Sequence, residues 1–177
     1  MIFFTRDLYD GYQPGSKWQR RAMRIWDRNI RIYRQYLKVI KPLLPTNIVK
    51  WEDISLHDCR VCDAIRNKTQ IQFVLDTENA IGLAPDYTVL ICFKGVKNKV
   101  GLTGLRGAWW LYDEVHLSHI SRFAYHIFLD RKDLEVYADD FSLKLIRDRK
   151  LKEHRTPIKP AASIDKKVPG GKLFRFP

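Results

Sequence analysis

The chain divides by period. From Ser16 to Lys41 apolar residues recur three and four apart, after the breakers Pro14 and Gly15 and before Pro42, which predicts one long N-terminal helix. At 100° per residue, Trp18, Ala22, Met23, Ile25, Trp26, Ile30, Ile32, Tyr33, Tyr36, Leu37, Val39 and Ile40 fall on an arc of roughly 200°. So wide a stripe calls for burial. Beyond Pro45 the pattern changes to short apolar runs between turn residues, with no further helix evident. Strands are predicted at Leu56 to Ile65, Gln70 to Asp76, Tyr87 to Lys94, Ala108 to Leu117, Arg122 to Leu129, Leu134 to Ala138 and Phe141 to Ile146. Arg66-Asn67-Lys68-Thr69 and Asp130 to Asp133 read as hairpin turns. Sequential strands with short links favour an antiparallel β-meander, so the expected fold is α+β: an amphipathic helix packed across a mainly antiparallel sheet.

Periodicity stops at Arg147. Pro157, Pro160, Pro169, Gly170 and Gly171 interrupt a segment whose charge comes from Arg147, Arg149, Lys150, Lys152, Arg155, Lys159, Lys166, Lys167, Lys172 and Arg175, against Asp148, Glu153 and Asp165. Such a composition cannot offset its own ordering entropy. The predicted organisation is therefore a single α+β domain over 1–146 and a basic, flexible tail over 147–177.

Composition bounds the class. With 177 residues, 45% of them hydrophobic and 12% aromatic, one domain can bury a core without staples. Val89 to Phe93, the longest strongly apolar run, is far short of the roughly 20 residues that span a bilayer, and the opening residues do not form a signal peptide. Membrane contact is not expected, and the odd cysteine count suits the cytoplasm. Cys59 and Cys62 invite a zinc or redox reading, but residues three apart on a strand face opposite ways, so no metal and no cofactor is expected.

The net charge of +12 concentrates in the tail and on the helix. Opposite the apolar arc lie Lys17, Arg20, Arg21, Arg24, Arg28, Arg31, Arg34 and Lys38, with Asp27 the only acid among them. Like charges four apart cost a few tenths of a kcal/mol each in an isolated helix, so phosphate or an acidic surface would relieve them. Arg20, Arg24, Arg28 and Arg31 are thus candidate binding residues. On the strand Ala108 to Leu117, strict alternation groups Trp110, Tyr112, Glu114 and His116 on one face; Trp109, Leu111, Asp113, Val115 and Leu117 form the other, which reads as core. The first face supplies the remaining candidates, either as a polar row or as an aromatic anchor. No phosphate loop, nucleophile elbow or paired zinc motif accompanies them, so catalysis is not expected.

Three elements are familiar together: Phe3-Phe4-Thr5-Arg6-Asp7-Leu8-Tyr9; Leu44-Pro45 through Leu56-His57-Asp58; and Gly107-Ala108-Trp109-Trp110-Leu111-Tyr112-Asp113-Glu114-Val115. The chain resembles, over Met1 to Ile146, a bacterial family of unknown function with FTKELY-like, LHD and GAWWLYDE elements. That resemblance brings no activity, cofactor or partner with it. The residues themselves lead to a non-catalytic protein-interaction module, immunity-type or adaptor-like, with an acidic protein partner. The alternative is a nucleic-acid-binding protein using the Arg-rich helix face and the tail.

Overall fold

The computed structural model describes residues 2–50 and 54–147. It is α+β, as the alternation of periods predicts. Helices α1 (Arg6–Tyr12), α2 (Gln19–Ile40) and α3 (Thr46–Val49) precede strands β1 (Cys59–Asn67), β2 (Gln70–Asp76), β3 (Tyr87–Lys94), β4 (Trp109–His116), β5 (Phe123–Leu129), β6 (Asp133–Ala138) and β7 (Asp140–Arg147). Two of the helices are absent from the sequence reading. The Thr5 hydroxyl starts α1 by accepting from the Leu8 amide at 3.4 Å, and Pro45 precedes the single turn of α3. Both are too short to show a period. Arg147, assigned above to the tail, is the last residue of β7 and lies 2.8 Å from Asp86; the rest of the tail lies outside the described residues.

The strands form one antiparallel sheet in the order β6-β5-β4-β1-β2-β3-β7. A simple meander would have kept β4 beside β3. Instead two three-stranded meanders sit side by side, with β4 crossing to β1 and β7 returning to β3. Asp139 alone separates β6 from β7, the two ends of that order, so the sheet has to curl back on itself. The Lys97 amide donates to the Tyr137 carbonyl and the Asp139 amide to the Lys94 carbonyl, fastening the loop after β3 against the β6–β7 corner. Gly95 makes that approach possible: its φ is +64°, and a Cβ there would lie 2.6 Å from an Asp139 carboxylate oxygen.

Inside the curl is the main core. Alternate residues of β2 and β3 supply Ile71, Phe73, Leu75, Val89, Ile91 and Phe93, all fully buried, and the Phe73 and Trp110 rings meet edge to face at 5.6 Å. A second core lies on the outer face of β4 and β5. There α1 and the first half of α2 bury Phe4, Leu8, Ala22 and Trp26 against Tyr112. The last turn of α2 then reaches the main core through Ile40. Only part of the predicted arc is covered, because a helix on a sheet is shielded along one stripe: Met23, Ile32 and Val39 stay exposed.

Candidate functional site

Strand β4 decides where its chemistry points. Its pairing with β5 slips between Trp110 and Tyr112, leaving Leu111 as the extra residue of a bulge. One inserted residue exchanges the faces. Trp110 therefore faces the main core together with Val115, and its indole nitrogen donates to Asp113 at 2.8 Å, whereas Tyr112 belongs to the helix-covered core. The single face of Trp110, Tyr112, Glu114 and His116 is thereby corrected. Trp110 has no exposed surface and is no anchor for a partner.

Glu114 is also fully buried, and its carboxylate is fully engaged. It accepts from three successive backbone amides, Ile2 at 2.9 Å, Phe3 at 3.0 Å and Phe4 at 2.7 Å, and faces His116 Nε2 at 2.8 Å. Burial pushes this carboxyl up, but the His116 and amide bonds outweigh it and hold it below the ordinary glutamate value. Glu114 thus clips the opening segment onto the sheet. The His116 ring stacks on Phe3 with centroids 6.0 Å apart and meets Tyr36 at 5.4 Å, so it too is packed away. Next to it is His126, lowered by burial, its Nε2 2.9 Å from Glu135.

Asp113 points the other way, and burial pushes its carboxyl above the ordinary aspartate value although the Trp110 and Tyr125 side chains hydrogen-bond to it. Sequence reading counted this residue as core; a polar residue in an apolar face was the available signal. His57 packs against the same strand. Its ring lies edge-on to Tyr112 at 4.8 Å, and Nδ1 comes within 3.1 Å of Asp58 without hydrogen-bond geometry, so the buried nitrogen is unsatisfied. Asp58 itself takes a left-handed φ of 63°.

The other group of candidates is at the surface. Arg20, Arg24, Arg28 and Arg31 are all exposed on α2, and among the described residues none of them makes an ion pair. Arg21, Arg34 and Lys38 are exposed beside them. The same side of the molecule carries solvent-facing Ile32 at 43% exposure, Val39 at 73% and Leu43 at 63%. The two groups of candidates are therefore not brought together: the Arg row faces solvent while Tyr112, Glu114 and His116 lie beneath the helix.

The cysteines form no cluster. Cys59 is buried, and desolvation pushes its thiol up to about 12, while Cys62 sits where the β1–β2 register slips. No disulfide joins the three cysteines, and no helix among the described residues is long and apolar enough to cross a membrane.

The sequence profile of a family described as "protein of unknown function (DUF4085)" matches residues 12–138. No curated protein and no solved structure matches the chain.

Proposed function

The chain belongs to the DUF4085 family, and we propose that it is a non-catalytic protein-interaction module of the cytoplasm, immunity-type or adaptor-like, that docks an acidic protein on the outer face of α2. The observation that carries this reading is the row of exposed guanidinium groups of Arg20, Arg24, Arg28 and Arg31, which make no ion pair among the described residues and are flanked by exposed Ile32 and Val39. Aligned like charges on one helix lose energy until an opposite charge arrives. The aliphatic neighbours favour a protein, since arginine interleaved with apolar contact area suits protein interfaces, whereas phosphate backbones offer aliphatic groups nothing. The buried ionisable groups support the non-catalytic half, because Glu114 and His116 spend their bonding on the opening segment of the chain.

Nucleic-acid binding is the second reading, favoured by the length of the basic row and by the basic tail read from the sequence. Arg20 to Lys38 covers about 27 Å of helix, enough to follow several phosphates.

One experiment separates the two readings. Mixed DNA and RNA pools are titrated against the full chain and against Arg24→Glu/Arg28→Glu over a range of salt. A protein-docking face predicts that the double reversal leaves the salt slope unaltered, while a photo-cross-linker at Ile32 captures an acidic protein in the native host and the reversal abolishes that capture. A loss well over tenfold, with a slope shallower by about two, would transfer the helix to nucleic acid.

A further inference from the structure

Strand β4 meets β1 only at its start: Cys59 pairs with Trp110 and Arg60 with Trp109, and Val61 exchanges backbone bonds with Gly107 and Ala108. Because β1 begins at Cys59, the amides further along β4 and just after it have no strand partner on that side. Two tyrosines of α2 replace it: the Tyr33 hydroxyl accepts from the Val115 amide at 2.7 Å and the Tyr36 hydroxyl from the Leu117 amide at 3.4 Å. Substituting two side chains for a strand leaves a space of about 100 Å³ between the sheet and the end of α2. Its described walls include Leu37, Ile48, Ile54, Val115 and Leu143, and the carboxyl of Asp113 lies among them.

A carboxyl in so enclosed a space is an unusual lining. Asp113 accepts from the Trp110 indole and the Tyr125 hydroxyl, which leaves about two of its four lone-pair sites for another donor. The aliphatic walls are interrupted by Tyr33, Tyr125 and, at the end of α2, Lys41. The cavity is smaller than the ~150 Å³ apolar cavity that admits benzene, so its occupant has about four to six heavy atoms.

We propose that this cavity is a binding site for a short aliphatic molecule with one hydrogen-bond-donating head, a small primary alkylamine or alkanol, the head set on Asp113 and the chain among Leu37, Ile54 and Leu143. The site is independent of the basic face of α2.

The test titrates the full chain calorimetrically with the n-alkylamines from propyl to hexyl and with the matching n-alkanols, and follows Val115 and Leu143 methyl signals by NMR. Saturable one-to-one binding is expected, tightening about fourfold per added methylene until the chain outgrows the cavity. Amines binding at least tenfold better than alkanols identifies an ionised Asp113, and the reverse order a protonated one; either sustains the site. Asp113→Asn should erase the preference between the series. Leu37→Trp, at the half-exposed helix wall, should abolish binding of both while leaving the far-UV circular dichroism unchanged. Absence of saturable binding by either series up to millimolar concentration overturns the proposal, as does binding that survives Leu37→Trp with the same affinity.

Discussion

Asp113 and Glu114 are adjacent in β4 and lie on opposite faces of the sheet, and their surroundings drive their acidities in opposite directions. Both are removed from bulk water. What differs is the number of donors: three amides and a histidine converge on Glu114, whereas an indole and a hydroxyl meet Asp113. A buried carboxylate with four charge-assisted bonds is stabilised as the anion, and two neutral donors do not offset the desolvation of the other.

The pair should therefore titrate with opposite effects on stability. Glu114 is lowered from 4.5 in the folded state, so its contribution is complete above pH 4.5 and is lost as pH falls through the folded value. Asp113 is raised from 3.8, so its ionisation weakens the fold as pH climbs from 3.8 through the folded value. Urea unfolding of wild type, Glu114→Gln and Asp113→Asn across acid pH checks both signs. Glu114→Gln should cost about 2–4 kcal/mol at neutral pH and flatten the acid limb, while Asp113→Asn should gain on wild type as pH rises.

Histidine adds a second acid-side dependence. His126 is lowered from 6.5, with burial as the main cause, so it contributes stability above pH 6.5 that is lost as protonation forces a charge into the core face. In His126→Gln the part of the pH profile just below 6.5 should become flatter, read from the same denaturation series.

Tyr33→Phe removes only the oxygen that receives the Val115 amide. A buried amide is left without a partner, so the variant should lose about 1–3 kcal/mol and the Val115 amide should exchange faster with deuterium.

Gly95→Ala tests the closure of the sheet. Positive φ and the Asp139 carboxylate at 2.6 Å act together against a Cβ, so a loss of about 1–3 kcal/mol is expected in thermal unfolding. An unchanged midpoint would show that the β6–β7 corner is not held by this contact.

Thiol chemistry gives a further check. Cys59 is buried with its thiol pushed up to about 12, so the folded chain should leave it unmodified by iodoacetamide near pH 8, and denaturant should expose it. Mass spectrometry of the peptide holding Cys59 reads the result.

The strands and the 22-residue helix were legible because each is a local rule applied many times: alternation from Gln70 to Asp76 and from Tyr87 to Lys94 yields both strands with their observed bounds, and i, i+4 spacing from Ala22 to Ile40 yields the helix. The exposure of Arg20, Arg24, Arg28 and Arg31 follows from the same spacing, since a helix with an apolar stripe turns its other side outward. Membership of a family of unknown function was legible too, and the family's profile matches residues 12–138. Strand order was not, because β4 pairs with β1 across more than forty residues of chain, and no local pattern records which edge a returning strand takes. The bulge at Leu111 escaped for a related reason. It exists only as a slip against β5, yet that one residue sends Trp110 and Tyr112 to different cores. The sequence determined which residues carry charge and which face of α2 is basic. Tertiary structure alone decided that Glu114 holds the opening segment and that Asp113 looks into a cavity, since burial and donor count belong to neighbours brought from distant parts of the chain.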